Sequence, residues 1–367
     1  MSELIVEVVK IIAIDIHPNA DRLDLATVKG WQCVCQKDAF EVGQKVVYLP
    51  IDSILPSNIE AKLFPPGSKI TLTKSRIRTI RIRSAISQGM IVTLSELGLS
   101  DSIKVGTDVR KKLSIEKYEP QVKQPNMMSN GSKRSKKQLN SNFRKYSDIQ
   151  HLKNYMKAFE NKQVIITEKI HGTNFRAGYV KYNKHNLWRR LLKLLHIGSN
   201  YQFVFGSHNV QLQSLLNKKK TYYKKNVYLE AVNQYKLKDS LKDNEVIYGE
   251  IYGDGIQKNY SYGCSDDQRK LVIFDVMIDG EYLDTQKAIG FCKERDLDYV
   301  PILFTGEYSK EVADDHVSGK SVLAPKAQPV REGCVISTIE EEMMFMGRSV
   351  LKYINPKYLL KDQSEWH

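Results

Sequence analysis

The chain has 367 residues, 41% of them hydrophobic, and carries 56 Lys and Arg against 42 Asp and Glu, a formal charge of +14 with a pI near 9.3. That length allows two cored domains, the apolar content excludes a wholly disordered chain, and the positive excess favours a polyanionic partner. No apolar run reaches the about 18 residues that a membrane helix needs, and residues 1–10 carry Glu3 and Glu7, so neither a membrane span nor a signal peptide is expected. The cysteines are Cys33, Cys35, Cys264, Cys292 and Cys334. Their only close pair is a lone C-x-C, which fits reduced thiols in an intracellular protein, cytoplasmic or nuclear, better than disulfides or a zinc site.

Residues 3 to about 115 show short strand-like runs, at 4–14, 25–28, 32–35 and 45–48. Turn signals separate them at His17-Pro18-Asn19, Lys29-Gly30 and Val42-Gly43. Many short strands with few helices predict a small barrel. Within 70–88 stand Arg76, Arg78, Arg81 and Arg83. Arg76 and Arg78 share a strand face, and a bulge near Thr79-Ile80 would bring Arg81 and Arg83 onto it. Four arginines on one face make a surface for RNA phosphates; the other reading is an edge strand kept soluble by charge.

Between 111 and 157 the composition breaks, with twelve Lys or Arg against three Asp or Glu. Residues 121–142 are rich in Asn, Ser, Lys and Pro and poor in large apolar groups, so a mobile connector is expected. Its Ser132-Lys133-Arg134-Ser135-Lys136-Lys137 run suits a nuclear import signal, an RNA tether or a solvated linker. Apolar spacing over 146–159 predicts a helix. The domain boundaries expected are 1–115, a basic linker 116–145, and a second domain 146–367.

In the second domain a β-rich run, 164–167, delivers Glu168-Lys169-Ile170-His171-Gly172-Thr173-Asn174, where Gly172 lets the chain turn just past a lysine. Four further strand-like stretches follow. One ends at Gly206-Ser207-His208-Asn209, one at Tyr248-Gly249-Glu250, one contains Phe274-Asp275, and one opens at Arg331-Glu332. Near the end comes Leu351-Lys352-Tyr353-Ile354. A lysine, two carboxylates, an aromatic ring and a second lysine, all at strand ends, are the inventory for taking a nucleotide onto a lysine. The carboxylates hold a divalent cation or ribose, the ring stacks on a base, and the second lysine neutralises phosphate.

This order of motifs resembles the covalent nucleotidyltransferase superfamily. It is most similar to ATP-dependent nick-sealing RNA ligases, through EKIHGTNF at 168–175 and GIQKN at 255–259. The run IHPNADRLDLATV at 16–28 is similar to tRNA-binding-type OB domains, and a barrel ahead of the catalytic part resembles the Deinococcus and Naegleria branch. The resemblance implies an α+β fold: an OB-type β-barrel followed by a nucleotidyltransferase domain of antiparallel sheets with flanking helices. It implies Lys169 as the residue that becomes AMP-linked, with Glu332 and Lys352 catalytic. Glu168, Ile170, Asn174, His208, Glu250 and Phe274 then bind the nucleotide with Glu332 and Lys352, and Glu250 and Glu332 hold Mg2+ or Mn2+.

The cofactor implied is ATP. The partner implied is RNA, as a nicked duplex or a tRNA-like molecule, bound by a monomer with no membrane association. Three positions depart from the wider superfamily: His171 replaces the usual aspartate, as it does in the phage-type RNA ligases, His208 a usual arginine, and Ile354 the second lysine that many relatives have. Other readings are a capping-type guanylyltransferase, a DNA ligase, or an inactive RNA- or tRNA-binding protein. The 15 residues after Lys352 leave no room for the OB domain that capping enzymes and DNA ligases carry there. With the pocket wholly after residue 164, a chain starting near Asn142 is expected to form the lysyl adenylate yet seal RNA poorly.

Two segments stay ambiguous. Leu187-Trp188-Arg189-Arg190-Leu191-Leu192-Lys193-Leu194-Leu195 is basic and amphipathic, suiting a packed surface helix, RNA or a membrane surface. Lys218-Lys219-Lys220 and Lys224-Lys225 suit phosphates or a solvated face.

Overall fold

The computed structural model describes residues 4–68, 71–118, 140–183, 199–212 and 226–361. The basic runs at 132–137, 187–195, 218–220 and 224–225 lie outside the described residues, as does most of the connector. The chain is α+β and divides into two compact units, 1–121 with 148–160 and 351–367, and 122–147 with 161–350.

In the first unit, antiparallel strands lie in the order Trp31–Gln36, Leu23–Val28, Glu7–Ile16, Lys45–Leu49, Met90–Thr93. A strand buried on one face alternates apolar and polar, but Val46-Val47-Tyr48-Leu49 is buried throughout. Both faces are covered there. Val9, Ile11, Val46, Tyr48 and Ile91 form one core, and Val8, Val47, Leu49 and Val92 another with Leu94, Leu99, Val109 and Leu113. A curled sheet wrapped this way is OB-like, as the barrel expectation requires.

A separate hairpin, Thr79–Ile82 with Ala85–Gln88, hangs from this barrel in unbroken register, so the expected bulge at 79–80 is not formed. The His17 turn holds it. His17 Nδ1 accepts from the Asn19 amide at 3.1 Å, which leaves Nε2 to carry the proton and donate to Ile82 O at 3.0 Å.

The segment 146–159 is not a helix. It forms a two-residue strand, Gln150–His151, then a single 3-10 turn, Leu152–Asn154. Gln150 and His151 pair in parallel with Leu351 and Lys352. The apolar residues that suggested one helical face serve separate cores. Leu152 and Phe159 are buried in the first unit, while Tyr146 belongs to the second and packs there with Phe143, Tyr248 and Met277.

The second unit is built on an antiparallel sheet in the order Gln211–Leu212, Tyr201–Gly206, Thr173–Lys181, Glu245–Gly253, Arg269–Ile278, Glu281–Tyr282. One face buries Phe175, Ala177, Ile247, Ile251, Ile273 and Val276 with the helices Val227–Gln234 and Thr285–Glu294 against it. The strand Gln163–Lys169 lies between Ile302–Glu307 and Gly333–Thr338, antiparallel to both.

Candidate active site

The lysine and its carboxylate meet because of strand register. Lys169 closes its strand opposite Gly333, so Glu332, one residue earlier, arrives beside the lysine from 163 positions away. Lys169 Nζ donates to Glu332 Oε1 at 2.7 Å. Its side chain keeps 27% exposure, so it is reachable, while that of Glu332 keeps 9%. His171 Nδ1 stands 3.5 Å from Glu332 Oε2, a long contact, and Oε2 has no closer donor among the described residues.

The second carboxylate comes from the middle of a strand rather than its end, because Glu245–Gly253 runs three residues past Glu250. Glu250 lies directly across from Asn174 and accepts from the Gly172 amide at 3.1 Å. This explains Gly172 better than turn conformation does. A Cβ there would collide with Ile251 O and stand 2.9 Å from Glu250 Cγ. Glycine is required so that the lysine turn can lie against the Glu250 strand.

Charge follows from this packing. Burial pushes the Glu250 carboxyl up to about 8; Lys169 opposes that rise, Glu332 adds to it, and the Gly172 amide opposes it. Burial raises Glu332 too, but Lys169 and His171 outweigh it and hold its carboxyl below the ordinary range. For Lys169, burial favours the neutral amine, yet Glu332 and Glu250 together prevail and raise its pKa. The neighbours of Lys169 thus keep it an ammonium, the opposite of what a nucleophile needs.

The structure does not gather all the other expected residues around Lys169. Alternation along the strand turns Glu168 to the face opposite Lys169. There its Oε2 accepts from the Val322 amide at 2.7 Å; burial raises its carboxyl, and hydrogen bonds from Ser321, Val322 and Leu323 oppose that rise. Ile170 is buried, and Asn174 Oδ1 is a buried acceptor with no donor among the described residues. Phe274 is the unpaired residue of a bulge, since Tyr248 pairs with Asp275 and Gly249 with Ile273. A bulge re-aims one side chain out of the strand pattern. The Phe274 ring is half-buried, with Tyr146 edge-on at 4.9 Å, and Tyr299 donates to its carbonyl at 2.9 Å. His208 is half-buried in the bend after Tyr201–Gly206. Lys352 belongs to the first unit, on the strand Val350–Ile354, and Ile354 is buried beside it.

Three residues around the lysine turn went unassigned in the sequence. Gln257 Nε2 donates to Gly172 O at 2.6 Å, Tyr262 OH accepts from the His171 amide at 2.8 Å, and the Tyr260 ring stands edge-on to His171 at 4.9 Å. Tyr262 does this at φ +52°, a region that bulky residues avoid. The run GIQKN was the available signal, read as a resemblance and not as a brace for the turn.

The four arginines of the first unit are not equivalent. Arg76 Nε donates to Asp52 at 3.0 Å and its guanidinium stacks 3.7 Å over Tyr118. Arg78 is half-buried, and its Nε has no partner among the described residues. Arg81 and Arg83 are exposed, and Arg83 closes the hairpin at φ +45°. No described helix is long and apolar enough to cross a membrane.

Known proteins resemble the chain in three ways. Solved structures of Naegleria gruberi RNA ligase align with it: with PPi at TM-score 0.72 and 22% identity, over 99% of this chain and 100% of that one. A point mutant with ATP and Mn aligns equally, and a mutant with AMP and Mn at TM-score 0.71 and 21% identity, over 97% and 98%. These likenesses show a shared fold. Phenylalanine--tRNA ligase beta subunits also match: that of Halalkalibacterium halodurans at 29% identity over 119 residues, and that of Psychrobacter arcticus at 28% over 122. The matches cover 27% and 29% of this chain but only 13% and 14% of those proteins. An OB-fold domain profile matches residues 5–94. The RNA ligase profile matches residues 162–354, more than half of the sequence and the whole span from the lysine strand to the last lysine motif, and the chain belongs to the RNA ligase family.

Proposed function

We propose that this protein is an ATP-dependent ligase acting as a monomer, which joins 3′-hydroxyl and 5′-phosphate RNA ends at nicks in duplex RNA through lysyl-AMP and RNA-adenylate. The observation that carries this is Lys169 beside Glu332 at 2.7 Å, with Glu332 Oε2 and Asn174 Oδ1 left as buried acceptors that have no donor among the described residues. Those two oxygens are costly to bury unless a ligand meets them. A nucleotide offers an amino group and ribose hydroxyls for that purpose. Structures of the solved relative contain ATP with Mn, PPi, and AMP with Mn: ATP and PPi are substrate and product of an adenylylation step, and AMP is the product of the final joining step.

Among the described residues no group of three side chains forms a metal site by itself. Glu250 and Glu332 suit a cation that takes one or two carboxylates and completes its shell with phosphate and water. A divalent cation, Mg2+ or Mn2+, would offset the negative charge that holds Lys169 as ammonium and stabilise charge developing on the phosphates.

The chain's own residues supply the rest. Lys169, once it has lost a proton to solvent, attacks the α-phosphorus; the N–P bond forms as the bond to the bridging oxygen breaks and pyrophosphate leaves. Phe274 stacks on adenine, Glu250 and Asn174 orient ribose, and Lys352 neutralises the α-phosphate. The adenylyl group then passes to a 5′-phosphate, freeing Lys169, and a 3′-hydroxyl displaces AMP. Arg81 and Arg83 hold the RNA backbone. The test is to incubate the protein with Mg2+ and α-labelled ATP or GTP, denature it, and then supply nicked RNA duplex. Labelling by ATP and sealing of the nick are expected. Equal labelling by GTP would move the protein to the capping class, and no labelling would leave an RNA-binding protein without ligase activity.

A further inference from the structure

The first unit contains more than a barrel. Its 148–160 segment is fastened to the barrel hairpin of Leu23–Val28 and Trp31–Gln36 at several points. The Gly30 amide donates to Lys153 O at 2.9 Å, and Trp31 Nε1 donates to Asn154 Oδ1 at 2.8 Å. Lys153 Nζ donates to Gln88 Oε1 and lies 5.2 Å from the Trp31 ring centre. A Cβ on Gly30 would meet Met156 Sδ at 2.8 Å and Lys153 Cα at 2.9 Å, so the two backbones touch with no room between them.

The same segment carries the strand neighbour of Lys352. His151 pairs with Lys352 and Gln150 with Leu351, in parallel. The His151 ring lies between Trp31, at 4.5 Å, and Tyr353, edge-on at 5.9 Å. A two-residue strand has too few hydrogen bonds to hold itself, so its place depends on what grips its side chains. Trp31, itself 4% exposed, does that.

We propose that Trp31 is a positioning residue for adenylylation: through the His151 ring, the barrel braces one edge of the strand that carries Lys352. The proposal rests on the assignment of Lys352 to the adenylylation step. His151 suits the task because burial, and then Lys153 and Lys352, hold its pKa far below the ordinary value, so it stays neutral beside the lysine. The barrel then has a part in the chemistry apart from any grip on RNA.

The test is a double-mutant cycle on the full chain: Trp31→Ala, Lys352→Ala and the pair, read as single-turnover lysyl-adenylate formation at saturating ATP and Mg2+, with thermal unfolding measured in parallel. Misplacing a reacting group by about 1 Å costs up to about 100-fold, so Trp31→Ala is expected to slow adenylylation by about 10- to 100-fold. Trp31→Phe should restore most of the rate, because it keeps a ring against His151. In the Lys352→Ala background, Trp31→Ala should add almost nothing. His151→Leu, which keeps bulk and removes the ring, should reproduce the loss if Trp31→Ala does not fold. A normal rate in both Trp31→Ala and His151→Leu, or losses that multiply in the double variant, overturns the proposal. If Lys352→Ala alone is as fast as wild type, the assignment of Lys352 fails, and the proposal with it.

Discussion

Lys169 Nζ and Glu332 Oε1 stand 2.7 Å apart across a strand pair whose register sets Lys169 opposite Gly333. The contact has two consequences of opposite sign. It aims the lysine, and it keeps the lysine protonated, since Glu332 and Glu250 outweigh the burial that favours a neutral amine. Nucleophilicity therefore has to be switched on by whatever neutralises the carboxylates. Lys169→Ala should abolish labelling by ATP in a protein that still folds, with a lowered unfolding temperature because the Glu332 carboxylate, 9% exposed, loses its cation. Covalent label surviving in Lys169→Ala would reassign the nucleophile.

Glu250 gives a pH signature. Its carboxyl is pushed by burial up to about 8, against an ordinary value of 4.5. Between those values the folded protein holds a proton that the unfolded chain has released. Stability therefore falls as pH rises from about 4.5 to about 8, by up to about 1.4 kcal/mol per pH unit from this group. Glu250→Gln carries no such proton. Its unfolding temperature should gain on wild type steadily from pH 5 to pH 8, without nucleotide or metal. A difference that stays constant across that range would show Glu250 ionised throughout.

The turn after Lys169 is braced from outside. Tyr262→Phe removes the hydroxyl that accepts the His171 amide and leaves that amide without its acceptor. Losing the bond should cost about 1 kcal/mol in stability. The larger effect should be on adenylylation, because the turn aims the lysine. Gly172→Ala should be worse, since its Cβ meets Ile251 O and Glu250 Cγ, with about 1–3 kcal/mol of strain pressed onto the Glu250 strand. Single-turnover labelling alongside unfolding temperature separates the two effects. Full activity in Gly172→Ala would mean that the Glu250 strand yields freely.

What could be read in the sequence was local. The run EKIHGTN announced a lysine turn, and the apolar runs around Glu250, Phe274 and Glu332 announced strands. Register was not readable: nothing in the residues says that Lys169 faces Gly333, or that a bulge sets Phe274 out of line. The helix expected over 146–159 failed because its apolar residues serve two cores, Tyr146 donating at 2.8 Å to buried Asp275 and Leu152 packing in the other unit. Periodicity assumes that all apolar groups face one surface. Gln257 and Tyr262 were missed because they act through backbone atoms of the turn, which leave no mark on residue type.

The arginines now carry unequal expectations. Arg76 is committed to Asp52 and Tyr118, so Arg76→Ala should lower stability by about 1 kcal/mol and have little specific effect on RNA. Arg81 and Arg83 are exposed and make no ion pair among the described residues, so they suit phosphate binding. Removing either guanidinium from a phosphate should reduce the salt slope of RNA binding by about one. Arg81→Ala with Arg83→Ala should therefore weaken nick sealing most at low salt, flatten its salt dependence, and leave lysyl-adenylate formation intact. A chain beginning near Asn142 should behave differently from the sequence-based expectation. It lacks Trp31 and Gly30, which grip the segment paired with the Lys352 strand, so it should lose adenylylation as well as sealing. Adenylylation and sealing measured on all these proteins across a salt series separate the roles. If the Arg81 and Arg83 double variant seals with unchanged rate and salt slope, the hairpin is no RNA surface and its arginines serve only to keep an edge soluble.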